Sequence, residues 1–146
     1  MSDDLTASVV YLDEGEKEGG IAHPTQDLIA SLEDRIEVRE VPITEGRSSD
    51  PRYWYHLGCE ASESTDVVHI QFEYGSFGDL GGKFLGSLFP VFARTVDVPM
   101  VATLHNFRDR RVSASLTDPN SIAMWLSEHA TWFVDRSLVN NVDFFV

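Results

Sequence analysis

Apolar positions along this chain follow two alternating rhythms. Short apolar runs at 7–12, 36–41, 66–72, 98–104 and 142–146 read as strands. The 36–41 run alternates apolar and polar, as a half-buried strand near a sheet edge does, and is expected to stop at Pro42 or shortly after. The 66–72 and 98–104 runs are apolar on both faces apart from His69 and Gln71, the pattern of central parallel strands. Between the strands the spacing turns helical. Leu28, Ile29 and Leu32 follow Pro24, with His23 or Thr25 placed to cap the helix start. A second helix is expected over 53–62. A third is expected over 83–96, carrying Leu85, Leu88, Phe89, Phe92 and Val96 and kinked at Pro90. In the fourth, Ser121 is the expected cap and Ile122, Trp125, Leu126, His129, Trp132 and Phe133 form the stripe.

Strand and helix alternate throughout, which predicts an α/β domain: a Rossmann-like parallel sheet with right-handed crossovers and helices on both faces. At 146 residues and 42% hydrophobic content the chain supports one domain, 1–146, around one core. The strand at 142–146 has no following helix, so the domain is expected to be incomplete at its C-terminus.

Charge narrows the function classes. Asp and Glu number 24 against 11 Lys and Arg, a net charge of −13. Such a surface repels phosphate backbones and anionic headgroups, which argues against nucleic acid and for at most peripheral membrane association. The acidic, lysine-poor composition suits a salt-rich cytoplasm and a halophilic source. The N-terminus lacks a secretory pattern, so a cytoplasmic location is expected. Cys59 is the single cysteine and reads as a buried, inert thiol.

In open α/β sheets ligands gather beyond the carboxyl ends of the strands, so chemistry is sought in the loops that follow them. Gly19, Gly20 and Ile21 precede a helix start, where bare backbone can approach a phosphate. Gly81-Gly82-Lys83 is not a phosphate-binding P-loop: Phe77 stands where that motif needs its first glycine and Phe84 where it needs a hydroxyl. His105, followed by Asn106, ends a buried strand and is aimed at the crevice, able to orient a hydroxyl or donate a proton to it. His69 lies mid-strand and reads as a buried, hydrogen-bonded histidine. The five histidines show no metal-ligand spacing, and no G-x-S-x-G is present. Tyr53, Trp54, Tyr55, Trp125 and Trp132 read as core. Asp13, Glu14 and Glu73 resemble the acidic cluster of a phospho-receiver module, which places an aspartate, not a glutamate, after its third strand.

The block Gln71-Phe72-Glu73-Tyr74-Gly75, joined to the later Thr103-Leu104-His105-Asn106, resembles the N-terminal half of family 4 glycosyltransferases of the GT-B fold. The likeness extends to Gly19-Gly20-Ile21 and to the helix leading into 142–146, and so spans nearly the whole chain. It implies transfer of a sugar, with retention, from a nucleotide-diphosphate sugar to a hydroxyl acceptor, lipid-linked or polysaccharide, at the inner membrane face. By that analogy Gly19 and Gly20 approach the donor diphosphate, His105 sits near the reacting sugar, and Glu73, Tyr74 and Gly75 line the acceptor side. No metal or other cofactor is implied. Phe72 departs from the pattern, since many relatives carry a second histidine there. The donor-binding C-terminal domain is missing from these 146 residues, so the isolated chain is expected to be inactive without it, in cis or in trans. The competing expectation is a non-catalytic α/β binding or interaction domain, receiver-like or a transferase remnant.

Overall fold

A computed structural model describes residues 5–13, 22–44, 48–73, 76–78, 87–105 and 122–146. Their order is β1 (Thr6–Leu12), α1 (Ala22–Glu33), β2 (Glu37–Ile43), α2 (Pro51–Ser62), β3 (Val67–Phe72), α3 (Phe89–Ala93), β4 (Met100–Leu104), α4 (Ile122–Asn141) and β5 (Phe144–Phe145). The strands form one sheet in the order β2-β1-β3-β4-β5, every neighbouring pair parallel. This is the expected Rossmann-like α/β architecture, with β3 at its centre. From β1 the chain steps outward to β2, then returns past β1 to β3 and runs on to β4 and β5. The crevice where strand order reverses therefore opens between β1 and β3.

Alternation along the strands divides the sheet into two faces. Val10, Val41, Ile43, Val68, Ile70, Phe72, Met100 and Ala102 point to one of them and join Trp54, Leu57 and Ala61 of α2, Phe89 and Phe92 of α3, and Val134 and Leu138 of α4 in the main core. Buried Ala7, Val9 and Ile29 lie outside that core, on the opposite face beneath α1. Helices therefore cover both faces. None among the described residues is long and apolar enough to cross a membrane.

The main core is aromatic at its carboxyl end. Phe77, just beyond β3, is fully buried between Phe72 (centroids 5.5 Å apart) and Phe89 (5.2 Å, edge-on), with Trp54 at 5.5 Å. Phe77 C=O accepts from Ser87 Oγ at 3.0 Å and from Leu88 N–H at 2.6 Å. The chain on either side of 79–86 is thus held together at one point. Gly78 follows with φ +80, a conformation that L side chains rarely adopt.

β2 runs through Pro42, which pairs with Tyr11, and stops one residue later at Ile43, within the expected bounds; the proline is tolerated because β2 is an edge. Several other expectations are corrected. The helix expected over 83–96 is, among the described residues, the short α3, with Pro90 in its first turn instead of at a kink. The start of α1 at Ala22 places Thr25 within the helix, where it is buried, and not at the cap. α2 begins earlier than its apolar pattern: Asp50 caps it by accepting from Arg52 N–H at 2.9 Å, and Pro51 fills the first helical position. Tyr55 and Trp132 are exposed, not core, with Arg136 set over the Trp132 ring; among the described side chains of the expected aromatics, only Trp54 is fully buried. Cys59 is exposed, because the inward stripe of α2 is Trp54, Leu57, Gly58 and Ala61. Ser121 and the side chains of His23 and Trp125 lie outside the described residues.

Candidate functional site

The α1 face of the sheet changes character toward its carboxyl edge. Strands of a parallel sheet are ordinarily apolar on both faces because helices cover both. Val68, Ile70, Phe72, Met100 and Ala102 obey this on the main-core face, whereas His69, Gln71, Thr103 and His105 occupy the other face of the same two strands.

The β3–β4 register assembles these four. His69 lies opposite Val101 and Gln71 opposite Thr103, and the ladder continues past β4 through His105 N–H donating to Phe72 C=O at 3.1 Å. His105 therefore stands one step beyond the last strand pair, beside the start of the loop that begins with Glu73. Two diagonal pairs result. His69 Nε2 meets Thr103 Oγ1 at 2.9 Å, and His105 Nε2 meets Gln71 Oε1. Gln71 is only 3% exposed, so its carboxamide has to be satisfied inside the protein. His69, His105 and Thr103 are half-buried. Burial holds the His69 imidazole below its ordinary titration range, and the nearby His105 ring lowers it further.

The polar band continues onto the neighbouring strands. Tyr11 of β1 shares the face of Val9, which lies opposite His69, and donates its hydroxyl to Glu40 Oε2 of β2 at 2.6 Å. Its phenol is pushed up to about 12, first by burial, then by the hydrogen bond to Glu40, then by the charges of Glu40 and Asp13. The carboxyl half of this face thus presents Glu40, Tyr11, Gln71, Thr103 and His105 across four strands, on both sides of the β1/β3 crevice. Neutral donors and acceptors prevail among them, a set suited to hydrogen-bonding hydroxyl groups.

Of the residues singled out from sequence, the structure places His105 and Glu73 at adjacent positions on the β4 and β3 ends. Gly19, Gly20, Ile21, Tyr74, Gly75 and Asn106 lie outside the described residues. His69 is hydrogen-bonded within its strand pair, as expected. The partners Gln71 and Thr103, and the Tyr11–Glu40 pair, were missed as site residues; the alternation that puts His69 and Gln71 on one face was the available signal. No three His, Cys, Asp or Glu side chains among the described residues are grouped to hold a metal ion. His56 and exposed Cys59 line a separate shallow groove with Thr95 and Asp97, by the amino end of β4 and away from the polar band.

No family model matches this chain, and no curated protein does.

Proposed function

We propose that this chain is the acceptor-side domain of a retaining glycosyltransferase, with the carboxyl edge of β3 and β4 receiving a hydroxyl-bearing acceptor. One observation carries the reading. Gln71 and Glu73 of the first motif block and Thr103 and His105 of the second are more than thirty residues apart in sequence, and strand pairing brings them side by side at the sheet edge where α/β proteins bind ligands. In this reading His105 orients the acceptor hydroxyl, Glu73 with Tyr74 and Gly75 lines the acceptor side, Gly19, Gly20 and Ile21 approach the donor diphosphate, and Asn106 contributes to substrate binding. The nucleotide-diphosphate sugar is held chiefly by a second domain, in cis or in trans. The acceptor is a lipid-linked or polysaccharide hydroxyl at the inner membrane face, and the reaction calls for no cofactor.

The test is His105→Ala in the complete two-domain enzyme. Turnover is expected to fall at least about tenfold, the scale of one lost hydrogen bond to a reacting group. Undiminished turnover refutes the role.

One observation favours a second reading. The order β2-β1-β3-β4-β5 is that of the flavodoxin-like doubly wound folds, to which phospho-receiver modules belong. A receiver would place an aspartate where Glu73 stands. Incubation with acetyl phosphate separates the two: stable phosphorylation of an aspartate supports the receiver, and none is expected from an acceptor domain.

A further inference from the structure

The Gln71–His105 pair carries more than proximity. A carboxamide oxygen can only accept a hydrogen bond, so an imidazole nitrogen facing Gln71 Oε1 must carry a proton. That nitrogen is Nε2. In a neutral ring the lone pair then resides on Nδ1.

We propose that Gln71 is the positioning residue for His105: it fixes the ring as the Nε2–H tautomer and leaves Nδ1 to accept a hydrogen bond from the acceptor hydroxyl. The part concerning the hydroxyl rests on the transferase reading; the part concerning the tautomer does not. The choice of glutamine also sets what His105 does. In a catalytic triad an aspartate holds the imidazole and stabilises the imidazolium formed when the ring takes a proton. The carboxamide of Gln71 is neutral and gives an imidazolium no such charge partner. With Nε2–H held by a neutral carboxamide, His105 presents Nδ1 to orient the hydroxyl. Gln71 earns its place by geometry: it is 3% exposed, anchored in the central strand, and opposite Thr103 in the register.

The experiment is two-bond ¹⁵N–¹H NMR of the imidazole rings in the 146-residue chain, above the histidine titration range. Wild type is expected to show His105 almost entirely as Nε2–H, with that proton slowed in exchange and shifted downfield. Gln71→Met removes the acceptor, and the ring should relax to the mixed tautomers of a free histidine with its proton signal lost to exchange. Gln71→Glu offers an acceptor-only carboxylate and should restore the Nε2–H signal. Backbone amide dispersion reports whether each variant folds, and the wild-type spectrum needs no variant at all. A wild-type ring protonated at Nδ1, or a folded Gln71→Met variant with an unchanged tautomer and exchange rate, overturns the proposal. A fixed Nε2–H ring in an enzyme indifferent to His105→Ala would instead overturn the transferase role and leave the pair standing.

Discussion

Gly78→Ala tests whether the segment after β3 is held as described, because three costs converge on one methyl group. The first is the backbone: φ is +80, and an L residue there costs about 1–2 kcal/mol. The second is space: a Cβ would lie 2.6 Å from Ser48 C=O and 2.8 Å from Trp54 Nε1, both closer than atoms tolerate. The third follows from the second. Trp54 Nε1–H donates to that same carbonyl at 2.9 Å, and Trp54 is fully buried, so prising the two apart leaves a buried donor unsatisfied at about 1–3 kcal/mol. Partial relaxation makes the sum less than additive, and we expect a loss of about 2–4 kcal/mol. For a chain of this size that is a drop in Tm of about 7–13 °C. Urea unfolding followed by tryptophan fluorescence and by far-ultraviolet circular dichroism gives the number. Gly78→Asn should lose about 1 kcal/mol less, since asparagine tolerates the left-handed region yet still carries the clashing Cβ. A Gly78→Ala variant within about 0.5 kcal/mol of wild type would refute the reasoning.

Three further outcomes are expected. Gly58→Ala should destabilise, although alanine is the better helix former by about 1 kcal/mol, because its Cβ would meet Thr95 Oγ1 at 1.9 Å and Phe92 C=O at 2.6 Å where α2 crosses α3; a gain in urea midpoint would contradict that packing. Tyr11 should titrate near 12 by ultraviolet absorbance, a component abolished in Tyr11→Phe and moved down toward 10.0 in Glu40→Gln; the raised value means that the stability it contributes is present below pH 10 and is lost as pH climbs toward 12. His69 works in the opposite direction. With its folded value below the ordinary 6.5, the unfolded chain takes up a proton that the folded chain resists, so stability falls as pH drops through 6.5. His69→Gln removes that titration, and its urea midpoint should fall less than that of wild type between about pH 7.5 and 5.5; equal losses would show that His69 is not the group responsible.

How much of this could be read in advance differs by scale. Strand positions came through closely, because β-branched runs such as 66–72 have few other uses in a chain of this size. Helix α3 did not: Phe89, Phe92 and Val96 have helical spacing, but Pro90 lacks an N–H to give and so belongs to a first turn, which sets the start near Leu88. Cys59 was legible and misread, for the i, i+3, i+4, i+7 stripe of Trp54, Leu57, Gly58 and Ala61 already turns it outward. Phe77 is the reverse case. As a loop residue between glycines it looked like a failed phosphate motif, and its burial among Phe72, Phe89 and Trp54 follows only from how α2 and α3 cross the sheet. The candidate site was half visible: His105 and Glu73 stand at strand ends, where ligands are sought, but that Gln71 faces His105 and Thr103 faces His69 depends on the β3–β4 register, which no local pattern specifies.

Pro42 has a consequence beyond β2 itself. Glu37 N–H bonds to Leu5 C=O and Ile43 C=O accepts from Asp13 N–H, so the odd residues of β2 turn their backbone toward β1. The even ones, Val38, Glu40 and Pro42, turn theirs away from the sheet. The prolyl nitrogen, with no hydrogen to offer, therefore falls on the outward row, where an incoming strand would need a donor. Glu40 adds a negative charge to that rim in a chain already at −13. This flank is built to refuse further strands, a guard against edge-to-edge polymerisation, and replacing Pro42 would remove it without costing the sheet any hydrogen bond it now makes.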